Sequence, residues 1–395
     1  MSRWKYNIFG KKRAVYRLFS PFPFSPFRNG RFYGIIDLFK SGMLSPRKPL
    51  ENSGAAAQTV TLCGQLFDLP IERTEFPMPQ SCGRFAPSPS GRMHLGNVLC
   101  ALLSWLSSRA KGGRCLLRIE DLDAGRCPRS YADLIEDDLH WLGLDWDEGG
   151  SVSGDSWYQS HRTAIYEEYY TILRQKAEIY PCFCSRAALH AASAPHLSDG
   201  RVLYAGTCYG LSPAETAEKR KRRTPAARIR VPDETISFID GVQGTYSEHL
   251  PSACGDFILR RSDGVFAYQL AVTVDDGLMG VTEVVRGRDL LESTARQIWL
   301  HRLLGFPPPD YYHIPLLLDS DGRRLSKRDE DLDLGLLRQR FTPEQVVGAL
   351  ACAAKLIERP EPISAKALIP LFRWDKVPKT DLLLPDIFRT PPETV

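Results

Sequence analysis

The sequence predicts an α/β protein built on a parallel, doubly wound sheet, and three observations carry that prediction. From Gly83 onward, short apolar runs alternate with longer stretches of helical periodicity. Glycine- or proline-bearing joints separate them, as at Pro87-Ser88-Pro89-Ser90-Gly91 and Gly112-Gly113. The order strand, helix, strand, helix needs crossover connections, and these give a parallel sheet with ligands at the carboxyl ends of its strands.

The elements follow in chain order. "RFA" (residues 84–86) reads as a short buried strand, and residues 98–110 as a helix stopped by Gly112-Gly113. "RCLLRIE" is a second strand ending at Glu120. "SYADLIEDDLHWLGL" is an amphipathic helix with Leu134, Leu139 and Leu142 at near-helical spacing, and "HRTAIYEEYYTILRQKAEIY" is another. From Cys182 to about Ser252 the rhythm breaks into short elements and reads as an insertion. "DFILRRSDGVFAYQLAVTVDD" then gives two strand-like or mixed segments around the Asp263-Gly264 turn. "VTEVVRG" is a strand, "RDLLESTARQIWLHRLLG" a helix closed by Gly305, and "YYHIPLLLD" a strand leading into the loop "DSDGRRLSKRDED". The expected organisation is an extension (1–80), a first catalytic half (81–181), the insertion (182–252), a second catalytic half (253–330) and a short, partly helical C-terminal region (331–395). That last region is too small for another large domain. No internal repeat is evident.

Composition bounds the class. A hydrophobic fraction of 43% and a charged fraction of 25% are those of a globular chain. The net charge of +4 suits an anionic partner such as nucleic acid without demanding one. No run approaches the roughly 18 apolar residues of a membrane helix, so no membrane partner is expected. Of ten cysteines, most sit singly in apolar patterns, as Cys100 and Cys115 do, and read as buried free thiols of a reducing, cytoplasmic protein. Residues 1–80 are expected to be a poorly ordered extension, basic through Lys48, where Asp37 is the single acid; a transit peptide, or a start at Met43 or Met78, are the alternatives.

Chemistry concentrates at the joint "GRFAPSPSGRMHLGN". A strand that runs through a Pro- and Gly-bearing loop into a helix N-terminus makes an anion site, because free backbone N–H groups and the positive helix end favour phosphate. Pro87 and Pro89 stiffen the loop, while Gly91 and Gly96 allow close backbone approach. His94 at the helix start is either a structural cap or a donor to a phosphate oxygen. Late in the chain, Lys327 in "GRRLSKRD" is a basic group suited to neutralising a departing pyrophosphate. In the insertion, Cys182-x-Cys184 and Cys208 supply three thiolates, which prefer zinc; Tyr204, His190, His196 and Cys254 compete for the fourth place. The basic run at residues 218–230 is a solvated face or a grip on an RNA backbone.

Taken together, His94-Leu95-Gly96-Asn97 and Arg324-Leu325-Ser326-Lys327-Arg328, some 230 residues apart, resemble the paired His-Ile-Gly-His and Lys-Met-Ser-Lys-Ser signatures of class I aminoacyl-tRNA synthetases. The resemblance covers about residues 83–345. It implies a Rossmann-like catalytic body, with ATP (as its Mg²⁺ complex) held by His94, Gly96 and Asn97, and with Lys327 acting on the pyrophosphate. Asn97 stands where the family carries a second histidine, which leaves His94 to supply any cationic help. "RFAPSPSG" and "RIEDLD" resemble the glutamyl branch. That implies a glutamate pocket of Arg84, Phe85, Ala86, Pro87, Ser88, Glu120, Tyr268 and Arg286, in which Arg84 and Arg286 meet the two carboxylates and Glu120 the ammonium. A surface salt bridge with Arg118 is the competing reading of Glu120. The order Cys-x-Cys…Tyr-x-x-x-Cys, with no anticodon-reading domain expected, is similar to the truncated glutamyl branch that acylates queuosine at the wobble position of tRNA(Asp). That similarity implies one structural Zn²⁺ on Cys182, Cys184, Tyr204 and Cys208, L-glutamate and ATP as substrates, the anticodon arm of tRNA(Asp) as partner, and a monomer. A short glutamyl-tRNA synthetase charging a 3′ end and a non-catalytic RNA-binding paralogue are the alternatives.

Overall fold

The computed structural model describes residues 81–185, 203–319, 321–323 and 333–388, all within one unit, Pro77–Val395. The expected extension at 1–80, His190, His196 and Lys327 lie outside the described residues.

Strand β1 (Cys82–Phe85) is buried along its whole length and leads through the proline loop into α1 (Leu95–Ala110). The helix starts at Leu95, three residues earlier than its apolar pattern suggests, because His94 caps it. It ends where Gly112 takes φ 62° and Gly113 N–H returns to the Ser108 carbonyl at 2.8 Å. β2 (Arg114–Leu117), α2 (Arg129–Trp141) and the two-residue β3 (Glu148–Gly149) follow, then α3 (Thr163–Lys176). After the insertion come α5 (Tyr268–Leu278), β9 (Glu283–Gly287), α6 (Thr294–Leu304) and β10 (Asp310–Ile314). The central sheet is all parallel, in the order β10-β9-β1-β2-β3. Strand order therefore reverses between β1 and β9, and such a switch point opens a crevice at the carboxyl ends of the strands.

Alternate strand residues serve opposite faces. Leu117 and Val285 join one core with α1, α2 and the C-terminal helix Pro343–Ala353; Leu116 and Val284 join another with α3, α5 and α6. The C-terminal region thus shares the core of the sheet domain.

The insertion reaches further than its sequence suggested. Its antiparallel sheet joins β4 (Ile179–Cys182), β5 (Ala226–Ile229) and β8 (Phe257–Arg260), with α4 (Pro213–Arg222) between the first two. A hairpin, β6 (Thr235–Asp240) and β7 (Gly244–His249), leaves this sheet and lies against β10, where Gly241 N–H bonds the Tyr311 carbonyl at 2.8 Å. The stretch around Asp263-Gly264 also differs from expectation. Only its first half is a strand; the second becomes α5, whose Leu270, Ala271 and Val274 form a buried helical stripe.

Candidate active site and candidate metal site

The proline loop, the start of α1 and the end of β9 enclose a cavity of about 490 Å³ at the switch point. Arg84, Phe85, Ala86, Pro87 and Ser88 line it from β1 and its loop, Glu120 from beyond β2, Tyr268 from the first turn of α5 and Arg286 from β9. His94, Gly96 and Asn97 line its other end. The structure therefore brings all these sequence-selected residues into one space.

The end formed by the start of α1 is a local device. His94 Nδ1 accepts from Gly96 N–H at 3.1 Å, and Asn97 Oδ1 accepts from His94 N–H at 3.3 Å, closing a capping box. Accepting at Nδ1 leaves Nε2 as the donor position of the ring. A Cβ on Gly96 would lie 3.0 Å from the His94 ring, so a larger residue there requires the ring to give by a few tenths of an ångström. Gly91 bends the loop at φ 153°.

The other end is built from long-range pairs. Arg84 donates from Nε to Asp276 Oδ1 at 3.3 Å. Asp276 also pairs with Arg118 at 2.7 Å, and Arg118 with Glu120 at 3.2 Å. The Glu120–Arg118 pair set aside from sequence thus exists, but it is buried: Arg118 is fully enclosed and Glu120 only 9% exposed. Its function is to hold Glu120 at the cavity wall. Burial pushes the Glu120 carboxyl up, against the pull of Arg118 and Arg84. Asp276 is held below the usual carboxylate range, because Arg118 and Arg84 outweigh the cost of burying it. Burial, and after it the Glu120 charge, raises Tyr268.

Arg286 is held differently. Nε donates to His313 Nε2 at 2.9 Å, Nη1 to Gln297 Oε1 at 2.7 Å and Nη2 to Thr294 Oγ1 at 2.8 Å. It is 4% exposed, yet among the described residues no carboxylate lies within ion-pair distance of it. A buried cation without a counter-ion is costly unless a ligand completes it.

Sequence reasoning missed Asp240, Asp276, Gln297, Thr294 and His313, and read Arg118 only as a surface partner. The readable signals were "VDD" closing an apolar helix and a histidine inside the apolar strand "YYHIPLLL". Their partners were not readable.

In the insertion, the Cys182, Cys184 and Cys208 sulfurs all lie within 4.8 Å of one another. Cys184 and Cys208 Sγ are 3.6 Å apart, and Cys182 Sγ is 3.7 Å from Tyr204 Oη. Tetrahedral zinc, with Zn–S near 2.3 Å and Zn–O near 2.0 Å, wants separations of about 3.7 and 3.5 Å, so the donor set fits that ion. Backbone N–H groups support the donors: Phe183 to Cys208 Sγ at 3.3 Å and Cys208 to Tyr204 Oη at 2.7 Å. Cys254 packs in the α5–α6 core and is not part of the cluster. The basic run divides. Lys219, Arg220, Lys221 and Arg222 are exposed at the end of α4, whereas Arg228 is buried with its guanidinium 3.8 Å from the Tyr204 ring centre. Arg228 is therefore no part of a solvated face.

Residues 82–347 match the family of tRNA synthetases class I (E and Q), catalytic domain. The chain belongs to that family: a class I synthetase catalytic body of the glutamyl and glutaminyl type. Within it, the chain belongs with the glutamyl-Q tRNA(Asp) synthetases. It is 49% identical over 310 residues to the one from Symbiobacterium thermophilum, covering 77% of this chain and 96% of that relative. It is 46% identical over 308 residues to the one from Nitratidesulfovibrio vulgaris, covering 77% and 95%. A glutamate tRNA ligase from Elizabethkingia meningosepticum, solved in complex with its amino acid, superposes with a TM-score of 0.66 at 26% identity, over 78% of this chain and 68% of that one.

Proposed function

We propose that the protein activates L-glutamate with ATP and transfers the glutamyl group to queuosine at the wobble position of tRNA(Asp). The observation that carries the reading is Arg286, a buried guanidinium with no counter-ion among the described residues, in a cavity that also opens on a helix N-terminus. Arg84 and Arg286 take the two carboxylates, Glu120 takes the ammonium, and Ser88 and Tyr268 add hydrogen bonds. Among the described residues Arg84 engages only Nε with a carboxylate, so its terminal nitrogens offer the forked contact.

With ATP–Mg²⁺ as co-substrate, a glutamate α-carboxylate oxygen attacks the α-phosphorus, and the bond to the bridging oxygen breaks to release pyrophosphate. The N-terminus of α1 and the His94–Asn97 cap hold the phosphates, and Lys327 neutralises the departing charge. A queuosine hydroxyl then attacks the glutamyl carbonyl, its proton leaves, and AMP departs. The exposed basic end of α4 grips the backbone of the anticodon arm. Cys182, Cys184, Cys208 and Tyr204 hold one structural zinc, which when bound fixes the start of the insertion.

The decisive measurement is glutamate-dependent ATP–pyrophosphate exchange without tRNA, which should proceed; absence of exchange sinks the reading. Transfer of labelled glutamate to tRNA(Asp), followed by nuclease cleavage, should leave the label on the anticodon fragment, whereas label on the 3′ end establishes an ordinary charging enzyme instead. Metal analysis of the purified protein should find about one zinc per chain, and less in Tyr204→Phe.

A further inference from the structure

Arg286 has one Nε hydrogen, and that hydrogen needs a lone pair. His313 Nε2 accepts it at 2.9 Å. An imidazole offers a lone pair at Nε2 only when its proton sits on Nδ1. Asp240 Oδ2 lies 2.5 Å from that Nδ1, and both side chains are fully buried. The Asp240 carboxylate is itself fixed, with Oδ1 accepting from Val242 N–H at 3.0 Å, Gln243 N–H at 2.8 Å and His313 N–H at 3.1 Å. These bonds hold it ionised, so it can only accept.

We propose that Asp240 and His313 are positioning residues for the substrate arginine Arg286: the aspartate locks the histidine tautomer, and the histidine aims the guanidinium. The contrast with Arg84 gives the reason for a histidine here. Arg84 rests on a carboxylate, which neutralises much of its charge. Arg286 rests on a neutral ring, so its orientation is fixed while its charge stays unspent for an incoming carboxylate. Asp240 comes from the β6–β7 hairpin, which the sequence places inside the metal-bearing insertion. Gln243, on the same turn, donates to the His313 carbonyl at 2.9 Å, so the hairpin grips β10 from two sides. The insertion therefore builds part of the amino-acid site.

The inference rests on the reading of Arg286 as a glutamate ligand, and the experiment separates the two. In full-length protein labelled with ¹⁵N-histidine, the wild type should show one imidazole with its proton on Nδ1, lost in His313→Gln. In Asp240→Asn the amide donates to Nδ1, which moves the proton to Nε2 and removes the acceptor from Arg286. Its KM for glutamate in pyrophosphate exchange should rise about tenfold or more, with the KM for ATP unchanged. Adding His313→Gln supplies an amide oxygen near the Nε2 position, so the double variant should recover most of that loss. A merely structural pair would instead give additive losses. The proposal is overturned by a wild-type His313 protonated at Nε2, or by an Asp240→Asn effect shared equally between glutamate and ATP. Should Asp240→Asn fail to fold, the wild-type tautomer and the glutamate KM of His313→Leu, a variant without an acceptor whose KM should rise about tenfold, still decide; a KM within about threefold of wild type overturns the proposal. If Arg286→Ala leaves the glutamate KM unchanged while the tautomer is as stated, the glutamate reading fails and the hydrogen-bond relay stands.

Discussion

The two ends of the cavity are made in opposite ways. The end proposed for the nucleotide comes from seven consecutive residues, Gly91 to Asn97, in which a side chain caps its own helix and the proposed binding is by backbone. The amino-acid end comes from side chains far apart in sequence. Arg84 meets Asp276 across 192 residues, and Asp240 meets His313 across 73. Phosphate is a diffuse anion that a helix end can hold, whereas glutamate must be told from its analogues by groups fixed in direction. Fixing a charged side chain takes a second one behind it, and that partner has to be buried too.

Removing a fork from the amino-acid end should do the most damage. Arg84→Ala strands Asp276 beside Arg118 alone and should cost about 2–5 kcal/mol, roughly 30- to 4,000-fold in kcat/KM for glutamate. Arg84→Lys should not restore it, because an ammonium cannot hold Asp276 and a carboxylate in the same plane. A KM for glutamate that stays within threefold would break the comparison. Lys327→Ala comes next. It should lower kcat of pyrophosphate exchange by about 10²–10³-fold with little change in the glutamate KM, since its work is on developing charge.

Gly96→Ala tests the nucleotide end alone. Its Cβ would press on the His94 ring, and the cap must shift by a few tenths of an ångström. We expect the KM for ATP to rise about tenfold, a loss near 1.4 kcal/mol, while the KM for glutamate holds. Equal effects on both substrates would show that the two ends are not separable.

A further effect concerns stability. His301, in α6, is buried with neither ring nitrogen hydrogen-bonded among the described residues, and burial lowers it from 6.5 to about 4 despite the nearby Asp276 charge. Below pH 6.5 the unfolded chain takes up a proton that the folded chain refuses until about pH 4, so stability falls as pH drops through that window. From pH 7 to 5 this should remove about 2 kcal/mol, measured by denaturant unfolding. His301→Phe should lose that share of the pH dependence; an unchanged slope would assign it to other groups.

Legibility followed the same division. The joint at Pro87–Gly91, the His94 helix start, the Cys182, Cys184 and Cys208 trio and the strand-helix rhythm were all readable, because turn chemistry and periodicity act within a few residues. β3 was not, being two residues long and held by pairing with β2 alone. Tyr268 was placed in a strand-like run, since an apolar stretch of that length suits either period. Arg118 looked like a surface partner because nothing in "RIE" shows that α5 covers it with Asp275 and Asp276.

By itself, then, the sequence determined the α/β class, the strand-to-helix joint and the three-cysteine cluster, and it nominated the residues proposed for glutamate and ATP. Only the tertiary structure decided that β1 and β9 are neighbours, which puts Arg84 and Arg286 in one cavity. It also decided that Asp276 and the Asp240–His313 pair stand behind them. The reason is physical. Local propensity is set by neighbours a few bonds away, but the partner of a buried charge is whichever group the topology delivers, and the cost of leaving that charge unpaired makes the delivery specific.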